Sequence, residues 1–406
     1  MSLLEQLSRP DCWERFYTYK MSADFRNIDA KALRAYIDGQ QYLPVCAAIA
    51  EGKPFPLPKK SVISKMSSSK RRTVYTYPAA ESTVLKLLTY LMLRRYDRLF
   101  STGLYSFRPG RNAKDAFRRL AHAPGIAEKY AYKVDISNYF NSVPVARLLP
   151  MLEETLCDDP QLYAFLARLL EEPQVLENGR PVCEEKGIMA GTPLSSFYAN
   201  LYLAALDRSF AERNVLYVRY SDDIIVFGET AEQVQGYADE IRSFLAEMQL
   251  TVNPSKECFF APEDGFVFLG FYARGGSVDI APASLKKLKA KMRRKAKALM
   301  RWRQRLELPG EKATAAFIRI FNRKLFEHAG EHELTWTRWF FPVINTADSL
   351  HEIDLCAQDC LRWLISGTRT KSRYNVRYAD LKALGYQSLV NRFYAGTDDP
   401  DKAEAH

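Results

Sequence analysis

The chain has 406 residues, 47% hydrophobic and 13% aromatic, so it can bury a sizeable core and is not a disordered polymer. No stretch is apolar for long enough to span a bilayer (residues 84–93 are interrupted by Lys86 and Thr89), the first residues lack a signal-peptide pattern, and the seven cysteines form no disulfide framework. These features exclude a membrane partner and predict a cytoplasmic protein, while the net charge of +10 is concentrated in eleven cations, with no acid among them, between residues 281 and 305. Such a stripe is the footprint of a nucleic-acid-binding element, since a merely solvated helix face usually mixes both signs.

In chain order, residues 1–50 read as short helices, clearest over 30–37. Pro54, Pro56 and Pro58 then force an extended segment. Lys59, Lys60, Lys65, Lys70, Arg71 and Arg72, spaced by serines, predict a basic loop or hairpin suited to phosphates, with surface solubility as the competing explanation. Residues 81–100 carry Leu85, Leu88, Met92 and Tyr96 at helical spacing. Residues 106–111 form a turn, and a helix follows from about Asn112. Residues 130–137 read as a buried strand ending on Asp135, and Pro144 opens the next helix. Asn178-Gly179 marks a hairpin over 175–182. A glycine-rich loop, 187–196, feeds a helix for which Ser195 or Ser196 is the expected cap.

Two apolar, β-branched and aromatic runs then flank Ser221 and Asp222, predicting a hairpin over 216–227. Adjacent acids at such a tip repel each other. Between strands this apolar the tip should emerge from a buried sheet into a cleft, where two carboxylates need a cation and hard oxygen ligands suit Mg²⁺. A plain turn aspartate is the alternative for the tip, and a satisfied strand-end acid or helix cap is the alternative for Asp135. If the two strands lie side by side, Asp135 and Asp222 converge as ligands for a pair of Mg²⁺ ions roughly 3.5–4 Å apart, the clamp of an in-line phosphoryl displacement. An amphipathic helix over 231–248, a return to the sheet over 250–256 and a strand over 266–271 follow, and from Pro282 onward the chain reads as helical. Within the basic stripe Leu285, Leu288, Met292, Ala296 and Leu299 keep one face apolar. The element order gives an α+β core followed by an all-helical region.

Several motifs in register carry a resemblance over about residues 55–275. They are Arg71-Arg72-Thr73-Val74-Tyr75 with Pro78; residues 106–111; Lys133-Val134-Asp135-Ile136-Ser137-Asn138-Tyr139-Phe140; Gly191-Thr192-Pro193-Leu194-Ser195 through Ala199-Asn200-Leu201-Tyr202-Leu203; Tyr220-Ser221-Asp222-Asp223; and Phe268-Leu269-Gly270. The chain resembles bacterial reverse transcriptases related to those of group II introns and retrons, most of all the compact antiphage-defence forms. The resemblance implies a right-hand polymerase fold: an N-terminal helical extension (1–50), fingers (51–125), a palm with interleaved fingers elements (126–275), a helical thumb (276–345) and a C-terminal helical segment (346–406).

It further implies Asp135, Asp222 and Asp223 as the catalytic acidic centre and metal ligands, with two Mg²⁺ ions or Mn²⁺ in their place. Arg72 would touch the triphosphate, and Phe140 would stand beneath the sugar and exclude a 2′-hydroxyl, core packing being its other role. Gly191 would line the nucleotide, and Lys256 would donate a proton to the departing pyrophosphate. Lys286, Lys289, Arg293, Arg294 and Lys297 would contact the nucleic acid. The implied partners are a structured noncoding RNA, the RNA/DNA duplex product and dNTPs. Ala190-Gly191 and Ser195-Ser196 depart from the Gln-Gly and Ser-Pro of relatives and put the support of the template base in question. An RNA-binding maturase-like protein and a template-independent polymerase are the alternatives. Neither the zinc-protease-like spacing over 328–332 nor Cys356 with Cys360 has the further ligands a zinc site needs.

Overall fold

The computed structural model describes residues 1–22, 27–64, 71–326 and 335–397. Lys65 and Lys70 of the basic hairpin, and the 328–332 spacing, lie outside the described residues. The chain divides into two compact units, Met1–Ala116 with Glu128–Ala261 and Phe117–Ala127 with Pro262–His406. Among the described residues no helix is long and apolar enough to cross a membrane.

The first unit holds two four-stranded sheets. One has the order β2-β1-β4-β5, from β1 (Lys59–Ser64), β2 (Arg71–Thr76), β4 (Gln174–Glu177) and β5 (Arg180–Cys183). The basic segment is thus a hairpin, and Asn178-Gly179 turns the second one as its sequence predicts. The other sheet has the order β6-β7-β3-β8, from β3 (Tyr130–Asp135), β6 (Tyr217–Tyr220), β7 (Asp223–Gly228) and β8 (Cys258–Phe260). Ile224, Ile225, Val226 and Phe227 are all buried, so β7 is covered on both faces, which explains its unbroken apolar run. Helix Ala231–Glu247 covers this sheet through Val234, Ala238, Ile241 and Leu245.

The N-terminal helices share the core of this unit. Trp13 is fully buried, stacks on Tyr42 at 4.6 Å and donates to the Leu7 carbonyl at 2.7 Å. Asp159, buried itself, accepts from Ser2 Oγ at 2.6 Å, from the Leu3 amide at 2.7 Å and from the Leu162 amide at 3.2 Å, so one carboxylate caps two helices. The expected long helix over 81–100 stops earlier, as Ala79–Arg95, and a tight turn at Asp97–Leu99 follows. Ser195 and Ser196 are not caps. The helix Ser195–Tyr202 begins behind Leu194, and the two hydroxyls donate backwards to the carbonyls of Thr192 (2.7 Å) and Pro193 (3.0 Å). The helix then breaks at Leu203 and resumes as Ala204–Glu212.

The second unit contains a small antiparallel sheet of β9 (Phe266–Phe268), β10 (Phe271–Arg274) and β11 (Ser277–Ile280), with the order β11-β10-β9. Three helices, Pro282–Arg305, Gly310–Leu325 and Asp348–Ser366, pack pairwise beside it. Buried Asp354 ties in the C-terminal segment, accepting from Tyr386 Oη (2.8 Å), Ser388 Oγ (2.6 Å) and the amides of Leu389 and Val390 (3.0 and 3.2 Å). Cys356 and Cys360 sit one turn apart on the same helix, both buried.

Candidate active site

β3 and β7 run antiparallel, in a register that sets Asp135 directly opposite Asp223. Tyr220 pairs with Asp223 across the β6–β7 hairpin, leaving Ser221 and Asp222 as its two-residue turn. The Ile136 amide donates to the Asp222 carbonyl at 3.0 Å, which fixes the turn against the end of β3. The side-by-side arrangement on which convergence depends is therefore present. All three carboxylates sit at one end of one sheet.

That turn is strained and braced. Ser221 has φ +59°, a left-handed conformation that costs a non-glycine residue about 1–2 kcal/mol. Its amide donates to Ser106 Oγ at 2.9 Å, and its carbonyl accepts from Arg219 Nη1 at 3.2 Å. Arg219 is fully buried and grips both oxygens of equally buried Asp207, at 2.7 and 2.6 Å. It also donates to the carbonyls of Ala199 and Asn200, while Tyr217 Oη donates to Asp207 at 2.8 Å. Asn200 in turn donates to the Ser106 carbonyl at 2.9 Å. Sequence reasoning named Ser106 and Asn200 only as members of motifs, with no role, and passed over Arg219 and Asp207. The available signal was an arginine inside an otherwise apolar strand, which a chain seldom buries unless it is paired.

The carboxylates differ in their surroundings. Asp135 is 3% exposed; its Oδ2 receives Lys256 Nζ at 2.5 Å and its Oδ1 receives Asn253 Nδ2 at 3.2 Å. Asp223 faces Lys133 Nζ at 3.8 Å. Burial pushes the Asp222 carboxyl above the ordinary range, and repulsion from Asp135 adds to it. Burial raises Asp223 as well; Lys133 opposes the rise, and Asp222 and Asp135 reinforce it. Burial works to lower Lys256, but its bond to Asp135 and the field of all three carboxylates outweigh that and raise it. Among the described residues no three His, Cys, Asp or Glu side chains close on a point as a ready cage for an ion. The donor set is nonetheless all carboxylate oxygen, crowded enough to repel itself. That suits Mg²⁺, which takes one or two carboxylates and completes its shell with water and phosphate.

A second cluster of backbone locks lies in the same unit. Phe140 is the second residue of the short helix Tyr139–Ser142, half-buried, with its ring edge-on to Phe107 at 6.2 Å. Its carbonyl accepts the Ile188 amide at 2.8 Å, and at Gly187 (φ +53°) an added Cβ would stand 2.6 Å from that oxygen, so only glycine fits. Asn141 donates to the Thr73 carbonyl and accepts from the Ala190 amide at 3.2 and 3.0 Å. The Ala190 carbonyl accepts the Tyr75 amide at 2.8 Å. Gly191 has φ +100°, and a Cβ there would lie 3.1 Å from the Tyr75 carbonyl and 3.3 Å from Val74 Cβ. Arg72 is exposed on β2 and, two residues from Val74, shares the strand face turned to Gly191. Lys60 of the same hairpin is held by Glu184 at 2.8 Å and Glu177 at 3.3 Å.

In the second unit, Lys286, Arg293, Arg294 and Lys297 are exposed on helix Pro282–Arg305, while Leu285, Leu288, Met292, Ala296 and Leu299 are buried. Some cations of the stripe are engaged inside the unit. Lys289 pairs with Glu352 at 2.7 Å, and Arg303 donates to the carbonyls of Leu308, Leu364 and Ile365. Phe268-Leu269-Gly270 makes the turn between β9 and β10, with Leu269 and Gly270 at φ +49° and +90°.

The family model described as reverse transcriptase (RNA-dependent DNA polymerase) matches residues 57–273, more than half of the chain. The chain belongs to that family, and its mixed α+β architecture is the polymerase fold the family shares. Among curated relatives, Protein YkfC of Escherichia coli is 23% identical over 254 residues, covering 53% of this chain and 66% of that protein. The uncharacterized 91 kDa protein in cob intron of Schizosaccharomyces pombe is 28% identical over 150 residues, covering 37% of this chain and 18% of that protein. The chain thus spans just under two thirds of the first relative and less than a fifth of the second. Among solved structures, apo telomerase from Candida tropicalis is 11% identical with a TM-score of 0.47, covering 84% of this chain and 61% of that one. Telomerase from Candida albicans, with a fragment of telomeric RNA, is 12% identical with a TM-score of 0.43, covering 87% and 71%. These last likenesses are too loose to match individual residues.

Proposed function

We propose that the chain is an RNA-directed DNA polymerase that extends a 3′-hydroxyl on an RNA template, with a structured noncoding RNA as that template and antiphage defence as its setting. The observation that carries the polymerase reading is the register of β3 and β7, which gathers Asp135, Asp222 and Asp223 at one sheet end. The resemblance to compact defence enzymes supports the template and the setting.

In this reading Asp135, Asp222 and Asp223 hold the divalent ions. When bound, those ions lower the pKa of the primer hydroxyl and neutralise charge on the triphosphate. Lys256, bonded to Asp135, would serve the leaving pyrophosphate as proton donor. Arg72 meets the triphosphate from β2, while Phe140 and the Gly187–Gly191 backbone shape the space for sugar and base. The protein's share is positioning and charge balance, as in phosphoryl transfer generally.

Primer extension tests this. Asp135→Asn and Asp222→Asn should each abolish Mg²⁺-dependent dNTP incorporation while RNA binding persists. Full activity in the double variant would overturn the metal assignment. Incorporation that continues without any template would identify a template-independent polymerase instead. Sequencing the nucleic acid that copurifies with the protein tests the noncoding RNA.

A further inference from the structure

The second unit carries a cation–aromatic surface that the polymerase reading does not use. From residue 360 to residue 379 the chain has no acid and five cations: Arg362, Arg369, Lys371, Arg373 and Arg377. The run leaves helix Asp348–Ser366, passes through a 3₁₀ turn at Lys371–Asn375 and ends at the helix Tyr378–Ala383.

Arg373 organises this turn. Its Nε bonds Asp359 at 2.8 Å, its Nη1 donates to the carbonyls of Arg369 and Thr370, and its Nη2 donates to Tyr374 Oη at 2.9 Å. Arg362 donates to the Val376 carbonyl at 3.1 Å. The result is an aromatic ring held out of the protein: Tyr374 is 56% exposed, with the guanidinium carbons of Arg373 and Arg362 at 4.5 and 5.8 Å from its centroid. Nearby, Arg369 stacks over Trp363 at 4.0 Å. Arg369, Lys371 and Arg377 are exposed; the Arg377 amide donates to Asp380 at 2.7 Å, but none of the three side chains is seen in an ion pair with a carboxylate among the described residues.

We infer that this surface binds a single-stranded stretch of nucleic acid, with an unstacked base on Tyr374 and flanking phosphates on Arg369, Lys371 and Arg377. A fixed ring with flanking cations is the chemistry of single-strand recognition, since every base has a π-face and the backbone is an anion. A paired duplex hides its base faces and has no use for the ring. The basic helix Pro282–Arg305, by contrast, offers cations and no exposed aromatic. The inference goes beyond the polymerase reading and does not depend on it.

The test is binding of the full chain to a labelled oligo(U) strand, an oligo(dT) strand and a blunt RNA duplex. Tyr374→Leu keeps apolar bulk and removes the ring; it should weaken single-strand binding about 5- to 150-fold, the worth of one stacked base, and leave the blunt duplex unchanged. Tyr374→Phe keeps the ring and loses only the bond from Arg373, so it should retain most of the affinity that Tyr374→Leu loses. Replacing Lys371 and Arg377 together with Gln should flatten the log–log salt dependence on the single strand by about 1.4. A loss on both strands assigns the surface to any single strand, and a loss on oligo(U) alone assigns it to RNA. Unchanged single-strand affinity in Tyr374→Leu, or an equal loss on the blunt duplex, would overturn the proposal. Nucleotide addition to a saturating primer–template should be normal in Tyr374→Leu, so failure here and failure of the polymerase reading give different results.

Discussion

Asp135, Asp222 and Asp223 pose a problem of charge that the free protein answers with lysines. Asp222 and Asp223 titrate above the ordinary carboxylate range, so the folded state holds their protons more tightly than the unfolded chain does. The stability this brings is complete below the unfolded carboxylate pKa of about 4 and is lost as pH rises through the folded values. In a chelator, above those folded values, both are charged and the cluster is a net cost. Asp222→Asn should therefore melt higher than wild type under those conditions, on the order of a few °C, and the gap should close toward pH 4. A wild type that melts no lower than the variant at pH 7 would mean that Lys133 and Lys256 already neutralise the cluster. Phe140 poses a question of shape instead. Cut to Ala, it should raise the ratio of rNTP to dNTP incorporated on one template. An unchanged ratio in an active variant would make its contact with Phe107 simple packing.

At the scale of elements, the basic helix divides its labour. Lys286, Arg293 and Lys297 face solvent, whereas Lys289 is spent on Glu352. Changing those three exposed cations to Gln should lower the salt slope of duplex binding by roughly 2–3 and shorten products more than it slows single-nucleotide addition. A wild-type slope would reduce the stripe to a solvated surface. Its two faces were legible in the sequence because helical periodicity is local. The hairpin of Asp222 and the Asn178-Gly179 turn were legible for the same reason, each being specified within a dozen residues. What escaped was tertiary. Arg219 and Asp207 lie on different elements, and their pairing depends on how helix Ala204–Glu212 meets β6. The hydroxyls of Ser195 and Ser196 had two sets of backbone partners to choose from, and the turn at Thr192 and Pro193 presented carbonyls first.

At the scale of the molecule, the division into units does not follow the chain. Phe117–Ala127 interrupts the first unit in sequence and belongs to the second. No local pattern announces this, because Phe117 reads as one more apolar position on a helix. Its significance comes from its neighbours: it is fully buried, with the rings of Phe271 and Phe266 at 4.8 and 5.7 Å.

Those neighbours set a clock. A ribosome adding about 5–20 residues per second delivers Phe266 roughly 7–30 s after Phe117. Through that interval the two rings that pack on Phe117 do not yet exist, and the nascent chain carries it without them while Glu128–Ala261 of the first unit is being made. The second unit is thus begun early and finished late, and any chaperone that attends this protein during synthesis has its longest task there.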